Sequence, residues 1–272
     1  GDFDELRRRF EDPKFPWNSH VFIPQLARRP YVVMELVDGQ LLQVAIDGTK
    51  APLDAGEKAA VVRQCCESLV YMEHHGVSHR DFRGCNIFLR GRGKGCRLKV
   101  IDLGFMIADA PGQATNPNAA VRCAWQGDPE KKLRFDWAPP EVRPRGSPNF
   151  VAPLSSFDVY SLGVLVLKLL KGRAWAQDAL SDDKVKKAAL PRRIGEIRQD
   201  TEAVRLDVDL LLRMLSEDPV QRPLPLELLA AVFGRPFNPA KAREAAARAA
   251  AAAAAAAPAP SAPASSSAAP KA

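Results

Sequence analysis

Residues 79–104 read HRDFRGCNIFLRGRGKGCRLKVIDLG, and this stretch limits the fold more than any other. It holds two short β-like runs, Ile87–Leu89 and Leu98–Ile101, joined by Gly91-Arg92-Gly93-Lys94-Gly95. Apolar runs around a glycine-rich connection predict a hairpin. The glycines do not predict a phosphate loop, because such a loop must open a helix and this one leads into a strand. Each run is flanked by a carboxylate with no place in a core, Asp81 before the first and Asp102 after the second. The hairpin would bring Asp81, Asn86 and Asp102 to one rim. One carboxylate and one amide oxygen, completed by water and phosphate, form a donor set suited to magnesium. The carboxylate not spent on metal can then orient a hydroxyl nucleophile.

A site of this kind needs a folded scaffold, and the composition provides for one. The chain has 272 residues, 46% hydrophobic and 26% charged, enough for one large core or two lobes. No apolar run approaches the roughly 20 residues of a membrane-crossing helix, and Gly1-Asp2-Phe3-Asp4 does not read as a secretory signal, so a soluble, cytoplasmic protein is expected. Cys65, Cys66, Cys85, Cys96 and Cys123 form no C-x-x-C pair and read as free thiols. The net charge of +7 includes +3 from the segment after Pro239, where Lys241, Arg243, Arg248 and Lys271 oppose Glu244. The basic clusters Arg7-Arg8-Arg9 and Pro191-Arg192-Arg193 are short and lack interleaved aromatics, which reads as solvated surface and not as a nucleic-acid groove.

Around the central stretch the periodicity is mostly helical. Val61, Val62, Cys65, Cys66, Leu69 and Met72 mark a core helix between Glu57 and His75, stopped by Gly76. Histidines 74 and 75 at its end suit the helix dipole. Asp158–Leu167 is apolar nearly all round, the pattern of a buried helix. A further helix is expected over Leu206–Leu215, and one or two helical turns over residues 2–10. Tyr31–Val37 reads as a β-branched strand closed by Asp38-Gly39. After Pro239 the chain turns Ala-rich, with nine alanines over Ala249–Ala257, and reads as a flexible tail.

Four motifs now fall in order: His79-Arg80-Asp81 with Asn86 five residues on, Asp102-Leu103-Gly104, Trp137-Ala138-Pro139-Pro140-Glu141, and Asp218-Pro219-Val220-Gln221-Arg222-Pro223. Together they resemble the catalytic loop, DFG, APE and D-P-x-x-R-P motifs of the eukaryotic protein kinases. The resemblance covers roughly residues 20–235. It implies an α+β, protein-kinase-like fold with a mainly α-helical C-lobe and a small β remnant of the N-lobe. The implied division is 1–37 as partial N-lobe and hinge, 38–238 as C-lobe, and 239–272 as tail. It also implies transfer of the ATP γ-phosphate, with Mg2+, to a Ser/Thr or Tyr hydroxyl of a protein substrate.

Residue by residue, the resemblance gives Asp81 the acceptor's proton and Arg83 the transferring phosphate. Asn86 and Asp102 hold magnesium. Met34, Glu35, Val37, Phe88 and Asp102 contact the nucleotide, and Leu103 keeps an apolar packing group in the DFG Phe position. His79, Arg80, Glu141, Asp158 and Arg222 are structural: Arg222 pairs with Glu141, and Asp158 caps backbone amides of the catalytic loop. Arg80 is expected to meet Asp128 or Glu130, since Thr115 is the one hydroxyl residue between Asp102 and Trp137. Arg83-Gly84-Cys85 resembles the R-A-A of some tyrosine kinases, which leaves the acceptor hydroxyl open.

Two family parts are not found before the hinge, the G-x-G-x-x-G loop and the V-A-I-K lysine. Val44-Ala45-Ile46-Asp47 offers Asp where that lysine belongs and follows the hinge, so it is expected to be helical. Glu5 and Glu11 compete as the lysine's partner, and with Glu5 in that role the missing parts are expected upstream of Gly1. A kinase-like interaction module without phosphotransfer is the alternative from another class, favoured by the absent lysine. A small-molecule phosphotransferase is a third, opposed by Glu141, Asp158 and Arg222.

Overall fold

The computed structural model describes residues 21–22, 32–33, 35–48, 52–108, 137–142, 155–181 and 183–238. The chain forms two compact units, Gly1–Gly39 and Gln40–Ala272. In the first, β1 (Val21–Phe22) pairs antiparallel with β2 (Val32–Val33). The strand expected over Tyr31–Val37 is shorter than its pattern: Val32 and Val33 carry the ladder, and residues 35–38 are irregular backbone. Met34 and the helical turns expected over 2–10 lie outside the described residues, as does the tail after Pro239.

The second unit is α+β, with short antiparallel ladders beside a helical body. It opens with β3 (Gln40–Leu41) and α1 (Leu42–Asp47), so Val44–Asp47 is helical as its motif context required. Helix α2 spans Ala55–His74. It starts where Asp54 accepts from Glu57 N at 2.7 Å while Glu57 Oε2 accepts from Asp54 N at 3.0 Å, a reciprocal capping box. It ends at Gly76, whose φ of 64° suits a residue without Cβ.

Strands β4 (Val77–Ser78), β5 (Ile87–Arg90), β6 (Arg97–Val100) and β7 (Ile107–Ala108) follow. β5 lies between β3 and β6 in one sheet, and β4 pairs with β7 in another. The β5–β6 hairpin has the register Ile87↔Val100 to Arg90↔Arg97, and a 3-10 turn at Gly93–Gly95 closes it.

The remaining helices are α3 (Ser156–Lys171), α4 (Arg173–Ala179), α5 (Lys184–Gly195), α6 (Arg198–Ala203), α7 (Val208–Met214) and α8 (Pro225–Val232). α3 is buried from Ser156 to Leu169, as its all-round apolar pattern demands. One core joins Val61, Cys65 and Leu69 of α2 to Leu162 and Val166 of α3, Leu211 and Met214 of α7, and Leu228 of α8. Gly163 sets the α3–α7 spacing: a Cβ there would meet Leu215 Cδ2 at 3.0 Å and Met214 Cβ at 3.2 Å. Cys65, Cys66 and Cys96 are buried free thiols, and burial pushes Cys66 up to about 12. Among the described residues no helix is long and apolar enough to cross a membrane.

Candidate active site

Two ladders hold the loop 79–86 against the loop 101–106. At one end Ser78 pairs with Ile107 across β4–β7. At the other, Ile87 pairs with Val100, and Ile101 N donates to Asn86 O at 2.9 Å. The hairpin thus carries Asn86 and Asp102 to neighbouring positions at its open end. His79 ties the loops between the ladders. Its Nδ1 accepts from Asp81 N at 3.3 Å, which leaves Nε2 as the protonated nitrogen to donate to Ile101 O at 3.0 Å.

The loop's conformation is imposed from α3. Asp158 Oδ2 accepts from Ser78 Oγ at 2.8 Å and His79 N at 2.7 Å, and Oδ1 accepts from Arg80 N at 2.8 Å. Arg80 takes a left-handed φ of 66°, uncommon for a residue with a Cβ, and the Asp158 bond holds it there. Asp158 therefore does not cap its own helix. The N-cap position is Ser155, which makes no side-chain cap bond, and Asp158 in the first turn faces the loop instead. The guanidinium of Arg80 lies 4.9 Å from the Phe157 ring centroid, and its expected partners Asp128 and Glu130 are outside the described residues.

At the centre stands Asp81, 2% exposed. Its Oδ2 accepts from Asn86 Nδ2 at 2.5 Å, and the same nitrogen reaches Asp81 O at 2.9 Å. Oδ1 lies 3.0 Å from Arg83 Nε. That approach is an ion pair without hydrogen-bond alignment, since both atoms are buried with no hydrogen-bond partner. Burial raises the Asp81 carboxyl above its ordinary value. Arg83, the Asn86 amide and His79 oppose the rise, and the charge of Asp102 adds to it.

The donor set suits a hard divalent cation. Asn86 bonds through its nitrogen, which keeps its carbonyl oxygen available as a ligand, and Asp102 offers an exposed carboxylate. Asp102 has a φ of 63° and accepts from Gly104 N at 3.2 Å. Leu103 is 39% exposed, so the packing expected of it is not seen among the described residues. Phe88 sits opposite Leu41 and Lys99 on the sheet face away from the core, half-buried. Glu35 and Val37 belong to the first unit.

Glu141 and Arg222 meet through Nη1–Oε1 at 2.6 Å and Nη2–Oε2 at 2.7 Å. Arg222 Nε also donates to Ser216 O at 3.0 Å. This two-pronged pair ties the end of the Trp137–Glu141 segment to the turn before α8. Two contributors escaped the motif reading. Ser78 precedes the H-R-D triplet, and a lone serine carries no pattern. Trp137 opens a recognised motif, yet its ring contacts are set by the fold.

A family model described as "Protein kinase domain" matches residues 23–233. The chain is 36% identical over 155 residues to serine/threonine-protein kinase Pkn1 of Myxococcus xanthus, covering 53% of this chain and 18% of that protein. To serine/threonine-protein kinase max-2 of Caenorhabditis elegans it is 28% identical over 211 residues, 77% of this chain and 29% of the other. It thus spans less than a third of the length of these curated relatives. A crystal structure of the Rad53 kinase domain and SCD2 with AMPPNP is similar at 20% identity and a TM-score of 0.48, over 77% of this chain and 71% of that one. With the family model matched across well over half of its length, this chain belongs to the protein kinase family.

Proposed function

We propose that this chain carries the phosphotransfer site of an ATP-dependent protein kinase acting on a Ser/Thr or Tyr hydroxyl of a protein substrate. The family uses ATP and a divalent cation, and magnesium is the cation proposed here. Support for the reading comes foremost from one observation: a buried carboxylate, Asp81, is held between an amide and a guanidinium on the rim that Asp102 shares.

In this reading the acceptor oxygen bonds to the γ-phosphorus as the bond from that phosphorus to the β–γ bridging oxygen breaks. The acceptor's proton passes to a carboxylate oxygen of Asp81, and ADP leaves. Arg83 Nε stays on Asp81, and its terminal nitrogens face the transferring phosphate. Bound magnesium would neutralise phosphate charge from Asn86 and Asp102. Phe88 forms part of the nucleotide floor, and Met34, Glu35 and Val37 supply the hinge contacts. His79, Arg80, Asp158, Glu141 and Arg222 hold this frame.

The same reading takes residues 1–37 as part of the small lobe and hinge, 38–238 as the large lobe and 239–272 as a tail. The test uses the full-length protein. Asp81→Asn is expected to abolish transfer of labelled phosphate, a loss of at least ~10²-fold, while Mg·ATP binding persists. Turnover retained in that variant would remove Asp81 from the role.

A further inference from the structure

Arg83 is held from two sides. Its Nε lies 3.0 Å from Asp81 Oδ1, and its Cζ lies 4.0 Å from the ring centroid of Trp137. The indole is itself fixed. Trp137 is 5% exposed, and its carbonyl accepts from Ser161 Oγ at 3.0 Å. Ser161 is fully buried in the middle of α3, one turn from the Asp158 that sets the catalytic loop. One helix thus braces both the backbone of the loop and the aromatic face against which the loop's guanidinium lies.

The chemistry of that face decides what Arg83 can do. A guanidinium has many rotamers and loses them only where two contacts converge. The ion pair with Asp81 lacks hydrogen-bond alignment, so it does not fix the side chain by direction. A cation over an indole face supplies the missing constraint, and it is strongest for Trp among the aromatic side chains. With the plane of Arg83 set by Trp137, Nε is kept at the proton-accepting carboxylate.

We propose that Trp137 is a positioning residue for phosphotransfer: its indole orients Arg83, and through Arg83 the catalytic carboxylate of Asp81. The inference rests on the proposed kinase activity and adds to it a dependence on the first residue of the Trp137–Glu141 segment. Trp137 touches no reacting atom. Its effect is therefore expected in kcat and in its coupling to Arg83, and not in nucleotide affinity.

The test uses the full-length protein, Mg·ATP and myelin basic protein as acceptor. Trp137→Tyr, Trp137→Phe and Trp137→Leu are made in the wild-type and in the Arg83→Gln background, with melting curves run on all. Expected is a fall in kcat in the order Trp, Tyr, Phe, Leu, reaching about tenfold for Leu, with KM for ATP within about twofold. In the Arg83→Gln background the same series is expected to be flat. If Leu fails to fold, the Tyr and Phe steps carry the comparison. An equal kcat across the folded variants overturns the inference, and so does a fall of the same size without Arg83. A wild-type protein that transfers no phosphate overturns the kinase reading first, and this inference with it.

Discussion

Arg222 and Glu141 face each other fork to fork, with Arg222's side chain wholly buried and Glu141's 8% exposed. The guanidinium also donates to Ser156 O at 3.2 Å, at the start of α3, so one side chain links three segments. Removing one partner of a buried pair strands the other charge and costs about 3–5 kcal/mol. Arg222→Ala is therefore expected to lower the unfolding free energy by about that much, read from urea transitions. Arg222→Lys keeps the charge but loses the fork, and should recover only part of it. The double change Arg222→Ala with Glu141→Ala should cost less than the two single changes summed, and strict additivity would mean the pair contributes nothing.

Asp158 holds the loop 79–86 from outside it. Its two oxygens accept three bonds, and an Asn there would turn an NH2 toward one of the groups that now donate to it. Each hydrogen bond to a buried charge contributes about 1.5–3 kcal/mol. Asp158→Asn is expected to destabilise the fold by at least ~2 kcal/mol and to speed hydrogen exchange at the amides of His79 and Arg80. Unchanged exchange at those two amides would show that the loop keeps its shape without Asp158.

The hairpin, the buried helix α3 and α2 were legible because their patterns are local. Alternation around Gly91–Gly95, an apolar run over Asp158–Leu167 and a 3.6-residue period over Val61–Met72 each need only neighbouring residues. Positions 81, 86 and 102 were legible as a group for a related reason: the hairpin that joins them is encoded between them. The capping box at Asp54 and Glu57 was also within reach of the sequence, as an acidic pair three residues apart before an apolar period. Two other features were not. The Tyr31–Val37 run has strand chemistry throughout, yet residues 35–37 are irregular backbone, because ladder length depends on the partner strand. Trp137 over Arg83 joins residues 54 positions apart, and nothing in either local pattern specifies the other.

Gln64 shows how the exposed side of the hairpin is closed. β6 is the outer strand, and Gln64 from α2 accepts from Leu98 N at 3.0 Å and donates to Cys96 O at 3.2 Å. The amide thus imitates a neighbouring strand, which blocks an edge that could otherwise pair with another chain. Gln64→Ala leaves Leu98 N without its acceptor, while Cys96 O keeps its bond from Arg97 Nη1 at 3.1 Å; it should cost about 1–3 kcal/mol and raise the rate of aggregation seen by light scattering. Gln64→Glu keeps an acceptor for Leu98 N but sets a carboxylate against Cys96 O. At neutral pH it should be no more stable than Gln64→Ala, and a Glu variant matching wild type would exclude the donor role.

Glu57 gives the fold an acid-sensitive joint. Its carboxylate accepts from Arg92 Nε at 2.7 Å, Arg92 Nη2 at 2.9 Å and Gly93 N at 2.6 Å, binding the first turn of α2 to the hairpin turn. The Arg92 side-chain bond, then the Gly93 amide, hold its pKa at about 2 against an ordinary 4.5, despite burial that acts the other way. A carboxyl whose pKa is lower folded than unfolded binds its proton more readily when unfolded. Its stabilisation is therefore complete above pH 4.5 and is lost progressively as the pH falls toward about 2. Glu57→Gln cannot ionise, so its stability should trail wild type by a constant amount above about pH 5, and the gap should narrow steadily on acidification. Urea transitions of both proteins from pH 7 to pH 3 measure that gap. A gap that stays constant to pH 3 would mean that the carboxylate is no better held in the folded chain than in the unfolded one, and that the joint depends on shape alone.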